Sequence, residues 1–102
     1  MITVEEAEAL HESLQDKLIA TRMARTRTNS FILANLRDCF CAGQPRLVFI
    51  GQEPAWSVPV LLAYPDRVLG DVGEVIVQAV DGRILGFTPP AEMDRNARQL
   101  LS

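Results

Sequence analysis

Val72-Gly73-Glu74-Val75-Ile76-Val77-Gln78-Ala79-Val80-Asp81-Gly82-Arg83-Ile84-Leu85 is the stretch whose reading decides the fold. Val75, Val77 and Ala79 fall on one side of an extended chain and Glu74, Ile76 and Gln78 on the other, the period of two that a strand requires. Asp81-Gly82 then supplies a strong short-range hairpin signal, and a type I′ turn is expected there because both central residues would take positive φ. The chain returns through Arg83-Ile84-Leu85-Gly86-Phe87. An antiparallel hairpin is the nucleus from which the rest is read.

Upstream, Trp56 to Tyr64 reads as a long strand in which Pro59 cannot donate to a ladder, so this strand lies at an edge or its proline faces an unpaired position. Leu47-Val48-Phe49-Ile50, between Pro45 and Gly51, is too short for a helix and rich in strand formers. Gly51-Gln52-Glu53-Pro54 is the turn between these strands, and residues 65–71 form a second connection. Downstream, residues 88–90 open a terminal helix with proline where its missing N–H is harmless. Met93, Ala97, Leu100 and Leu101 are its apolar stripe.

The first third of the chain reads as helical. Thr3 and Glu6 make a capping box, Ile2 and Ala7 a hydrophobic staple, and Ala7, Leu10, Leu14 and Leu18 an apolar stripe over about residues 4–23. Residues 21–30 mix cap formers with Arg22, Arg25 and Arg27 and break the period, so a turn is expected. The arginines either neutralise carbonyls at a helix end or hold an acidic group bidentately. Ser30 or Asn29 then caps a second helix carrying Ile32, Leu33, Leu36, Cys39 and Phe40, which Gly43 ends and Pro45 confirms. The expected fold is one α+β domain over residues 1–102, two-layered, with N-terminal helices on a four-stranded antiparallel meander and a short C-terminal helix.

The segment from Trp56 to Leu85, and above all its Gly-containing hairpin over residues 72–85, resembles the strand-turn-strand of PepSY-type domains. The resemblance implies a helix before a small antiparallel sheet and a non-catalytic domain that interacts with or inhibits other proteins.

Composition removes several functions. The 102 residues carry 10 basic and 13 acidic side chains, a net charge of −3, which gives nucleic acid no general electrostatic footprint. No apolar run approaches the roughly 18–20 residues of a membrane-spanning helix. The acidic start, Met1-Ile2-Thr3-Val4-Glu5-Glu6, is unlike the basic start of a secretory signal. Cys39 and Cys41, one residue apart, match neither redox nor zinc spacing, and His11 is the single histidine. Reduced structural thiols in a cytoplasmic protein are expected, with no metal and no cofactor.

Catalytic candidates are thin. Asp66, Asp71, Glu74 and Asp81 show no paired spacing, and Ser13 and Ser57 lack a nucleophile-elbow context. The sheet is more informative, because it is apolar on both sides. Trp56, Val58, Val60, Leu62 and Tyr64 share one side of their strand while Leu61 and Ala63 occupy the other. Helices enough for one face leave the second to meet something. The expected contact residues are Trp56, Val58, Tyr64, Glu74 and Ile76, and a homodimer through the Trp56 face is expected. Two functions follow: an interaction protein that self-associates and binds or inhibits a protein partner, or a small-ligand or catalytic domain with Trp56, Tyr64 and Glu74 at the mouth of a pocket between sheet and helices.

Overall fold

A computed structural model describes residues 20–36 and 39–102. The expected helix over about residues 4–23 therefore lies, up to residue 19, outside the described residues, as do His11 and the Thr3–Glu6 capping box.

The described chain is α+β, with two helices and an antiparallel sheet. Helix α1 spans Thr21–Asn35. Strands β1 (Phe40–Ala42), β2 (Arg46–Ile50), β3 (Glu53–Tyr64), β4 (Arg67–Gln78) and β5 (Ile84–Phe87) follow, and helix α2 (Pro90–Leu101) ends the chain. The last four strands form the expected meander, each antiparallel to the next. Five strands stand where four were expected, because β1 and β2 run end to end along the same side of β3, with Ala42 opposite Val60 and Arg46 opposite Ser57.

Pro59 explains the interruption between them. It lies in the interior of the sheet, not at an edge, and meets the gap: its carbonyl accepts from Gly43 N–H at 2.8 Å, while its nitrogen has no proton to offer a continuous neighbour.

The expected turn at residues 21–30 is helix instead. Ala24, Thr28 and Ile32 recur every four residues and are all buried, so Thr28 occupies an apolar position that its hydroxyl had disguised. The Arg22, Arg25 and Arg27 run thus lies in the first half of α1, away from its C-terminus. Cys39 and Phe40 do not extend the helix: Phe40 and Ala42 are buried with Cys41 between them half-buried, the alternation of a strand. The connection expected over residues 65–71 shrinks to Pro65-Asp66, since β4 begins at Arg67.

The β4–β5 turn also departs from expectation. Gln78 N–H donates to Arg83 O at 2.7 Å and Gly82 N–H to Gln78 O at 2.9 Å, which encloses four residues, not two. Gly82 has φ 77° while among the described residues no non-glycine residue takes positive φ, so Asp81 does not make a type I′ pair. Its carboxylate instead accepts from Arg83 N–H at 2.8 Å, and the Gln78 side-chain oxygen accepts from Val80 and Asp81. These bonds stabilise the longer loop.

The core lies on one face of the sheet. Ala24 and Ile32 of α1, Met93 and Ala97 of α2, Phe40 and Ala42 of β1, Val58, Val60 and Leu62 of β3, and Val72, Val75 and Val77 of β4 form one buried cluster. Each large side chain among them contributes roughly 1.5–3 kcal/mol. Val72 reaches this cluster through a bulge opposite Val60 and Leu61, which turns one residue of β4 out of its alternation.

Candidate functional site

The register separates the five expected contact residues onto two faces. Trp56, Val58 and Tyr64 share the side of β3 that the helices cover. Trp56 is half-buried against the core, Val58 is completely buried, and Tyr64 borders a cleft of about 110 Å³ beside Asp94, Arg98 and Leu101. Glu74 and Ile76 lie on the opposite side, paired with Pro59 and Ser57. Among the described residues, Trp56 and Tyr64 lie on one side of the sheet and Glu74 on the other, so the three do not meet at one mouth. Trp56, at the centre of the expected homodimer contact, packs partly against the core cluster on the helix side of the sheet.

The opposite face gathers what the covered face does not. From β2 come Arg46, Val48 and Ile50, from β3 Ala55, Ser57, Pro59 and Leu61, and from β4 Asp71, Glu74 and Ile76. Both helices direct their buried residues to the other side. Ala55 and Ser57 are nevertheless almost inaccessible. They are small and sit low between larger cross-strand neighbours, Val48 and Gln78 around one, Arg46 and Ile76 around the other.

A groove of about 500 Å³ crosses this face, bordered by Arg46, Ser57, Pro59, Asp71 and Glu74 and reaching Thr88 and Asn96 around the side of β4. At its centre the Ser57 hydroxyl donates to Glu74 Oε2 at 2.7 Å. The two are diagonal neighbours on adjacent strands, a separation long side chains span. Ser57 is 4% exposed, and its bond to the carboxylate satisfies a hydroxyl that would otherwise be costly to bury.

Beyond the end of β5, the outer side of β4 is bonded at Val72 and Glu74. Asn96 Nδ2 donates to Val72 O at 2.7 Å, Thr88 N–H donates to Glu74 O at 2.9 Å, and Glu74 N–H donates to the Thr88 hydroxyl at 3.1 Å. Glu74 is thereby held at both backbone and carboxylate.

Sequence reading missed Arg46, Ser57, Thr88 and Asn96 as members of this site. The signal for Ser57 was its place between Ala55 and Pro59 on the face that Glu74 and Ile76 share. That signal exists only once the β3–β4 register is known.

The Ser57 proton points at Glu74, and no imidazole lies among the described residues to take it. Among the described residues no group of three or more His, Cys, Asp or Glu side chains is placed to hold a metal ion, and no helix is long and apolar enough to cross a membrane. Fold and site together define an α+β domain with a helix-covered sheet face and a second face left open by both helices. Comparison with protein families, curated proteins and solved structures finds no match.

Proposed function

We propose that this chain is a small non-enzymatic interaction protein that binds a protein partner across the open face of its sheet. One observation carries the reading: the open face presents an apolar surface, Val48, Ile50, Leu61 and Ile76, around a polar centre of Arg46, Asp71 and the Ser57–Glu74 pair. Apolar surface with a few fixed polar groups is the composition of a protein interface centre. The PepSY-type likeness of the hairpin belongs to the same reading, since it implies interaction with, or inhibition of, another protein. The compartment on this reading is the cytoplasm, where Cys39 and Cys41, free in the structure, stay reduced.

Ile76→Glu and Arg46→Glu test it. Each changes the open face without touching the buried cluster, so the fold should persist by circular dichroism. Affinity capture from source cells with wild type and both variants in parallel should recover a partner on wild type that both variants lose. The purified partner should bind wild type in calorimetry. Equal recovery by all three proteins would overturn the reading.

A second reading, a small-ligand-binding domain, is favoured by the volume of the groove and its convergent Ser57, Glu74 and Arg46 side chains. Native mass spectrometry of the purified chain separates the two: a retained small molecule released by Ser57→Ala supports the ligand, and a bare chain supports the protein partner.

A further inference from the structure

The sheet has two kinds of edge. Along β1 the outward-facing backbone of Ala42 is closed by helix α1: its N–H donates to Asn29 Oδ1 at 2.9 Å, and its carbonyl accepts from Arg25 Nη2 at 3.4 Å. The outer side of β4 is bonded at Val72 by Asn96 and at Glu74 by Thr88. Strand β5 is four residues long and bulged at Leu85, two devices that blunt an edge. Strand β2 has none of these. It carries no proline, bulge or lysine, its sequence is Arg46-Leu47-Val48-Phe49-Ile50, and Phe49 and Ile50 are 60% and 51% exposed.

The direction of its free backbone groups follows from two facts. A two-residue turn, Gly51-Gln52, joins Ile50 to Glu53, so that flanking pair is hydrogen-bonded and the pairs alternate from there. Pro54, opposite Phe49, turns its carbonyl away from β2 to accept from Ala79 N–H at 3.1 Å. In an antiparallel ladder the partner in such a pair faces away as well. Phe49, and by alternation Leu47, therefore present N–H and C=O outward. Among the described residues no bond reaches them.

We propose that a second copy of this chain pairs with β2 through this edge, antiparallel about a two-fold axis at Val48. The register is self-complementary. Leu47 of one protomer faces Phe49 of its partner and Phe49 faces Leu47, which joins each outward N–H to an outward carbonyl in four hydrogen bonds. Val48 meets its own symmetry mate as a non-hydrogen-bonded pair, the closer kind. Leu47 and Phe49 meet on the helix-covered side, and Arg46 faces Ile50 on the open side, so no two like charges oppose. A shift by one residue would set outward-facing groups against inward-facing ones, and only the Val48-centred register satisfies both strands. The pairing also joins two open faces into one continuous surface, and it does not depend on the proposed partner-binding role of that face.

Sedimentation equilibrium should find wild type dimeric at micromolar concentration. Phe49→Pro removes one outward donor per chain while leaving the β2–β3 bonds untouched, and should weaken the dimer by at least about tenfold. Val48→Lys sets two charges against each other across the axis and should give a folded monomer, which covers the case in which the proline variant fails to fold. In a Cys39→Ser, Cys41→Ser background, Val48→Cys treated with diamide should yield a disulfide-linked dimer, and Ala91→Cys on exposed α2 should not. A monomer up to millimolar concentration overturns the proposal. So does a dimer that Val48→Lys leaves intact and Val48→Cys does not link. Ile76→Glu should keep the dimer while losing the protein partner, so failure of one reading is distinguishable from failure of the other.

Discussion

Strands β1 and β2 lie on the same side of β3, three residues apart in the chain, yet their outer edges differ completely. On β1, Asn29 and Arg25 bond the outward N–H and carbonyl of Ala42, and Phe40 and Ala42 are buried in the core. The β2 edge carries outward backbone groups with no partner among the described residues beneath an exposed Phe49. Pro59 divides the two by denying a donor to any strand that would run straight through. The lesson is that a single proline in a central strand can split its neighbour into one segment that builds the core and another that remains available.

The comparison is sharpest at two phenylalanines. Phe40→Ala on β1 removes a side chain that is 6% exposed and should cost about 3–5 kcal/mol. Phe49→Ala on β2 should change the stability of the dilute chain by no more than about 0.5 kcal/mol. Urea denaturation of both measures the difference, and equal losses would mean the β2 edge is as integral as the β1 edge.

Gly43→Val probes the division itself. A Cβ at Gly43 would lie 2.9 Å from Pro59 Cγ and 3.0 Å from Leu61 Cδ1, and the proline ring cannot swing aside. The expected loss is about 1–3 kcal/mol, read as a lowered thermal midpoint. An unchanged midpoint would show that the joint between β1 and β2 has slack.

Asn29→Ala opens the β1 edge by removing the acceptor for Ala42 N–H. A cost of about 1–2 kcal/mol is expected for the donor left behind. Proteolysis near residue 42 should rise with it.

One effect has the opposite sign. Thr28 is completely buried, and among the described residues its hydroxyl has no hydrogen-bond partner, so Thr28→Val should raise stability by about 1 kcal/mol. A loss on calorimetric melting would mean that the hydroxyl is satisfied.

How much of this was legible beforehand depended on whether a residue's neighbours were close in sequence. The β4–β5 hairpin, the β2–β3 hairpin and α2 were readable because a period of two, glycine-bearing turns and a proline start are local signals. Strand β1 was not, because Leu36, Cys39 and Phe40 fall at helical spacing and imitate the tail of α1. Helix α1 was cut short because Thr28, polar in name, fills a core position between Ala24 and Ile32. The site failed for a different reason. With β3 apolar on both sides, alternation alone does not tell which side the helices take. Trp56 drew attention because it is large, although it is core-facing, while Ser57 was passed over for want of a catalytic motif.

On the proposed pairing, the β1 edge at Ala42 is closed within one chain and the β2 edge only between two. Residue-resolved amide hydrogen exchange at low and high protein concentration measures this directly. Ala42 should exchange slowly in both, whereas Leu47 and Phe49 should exchange fast in the dilute sample and become protected as concentration rises. Phe49 and Leu47 rates that do not change with concentration, or an Ala42 amide as fast as Phe49, would contradict it.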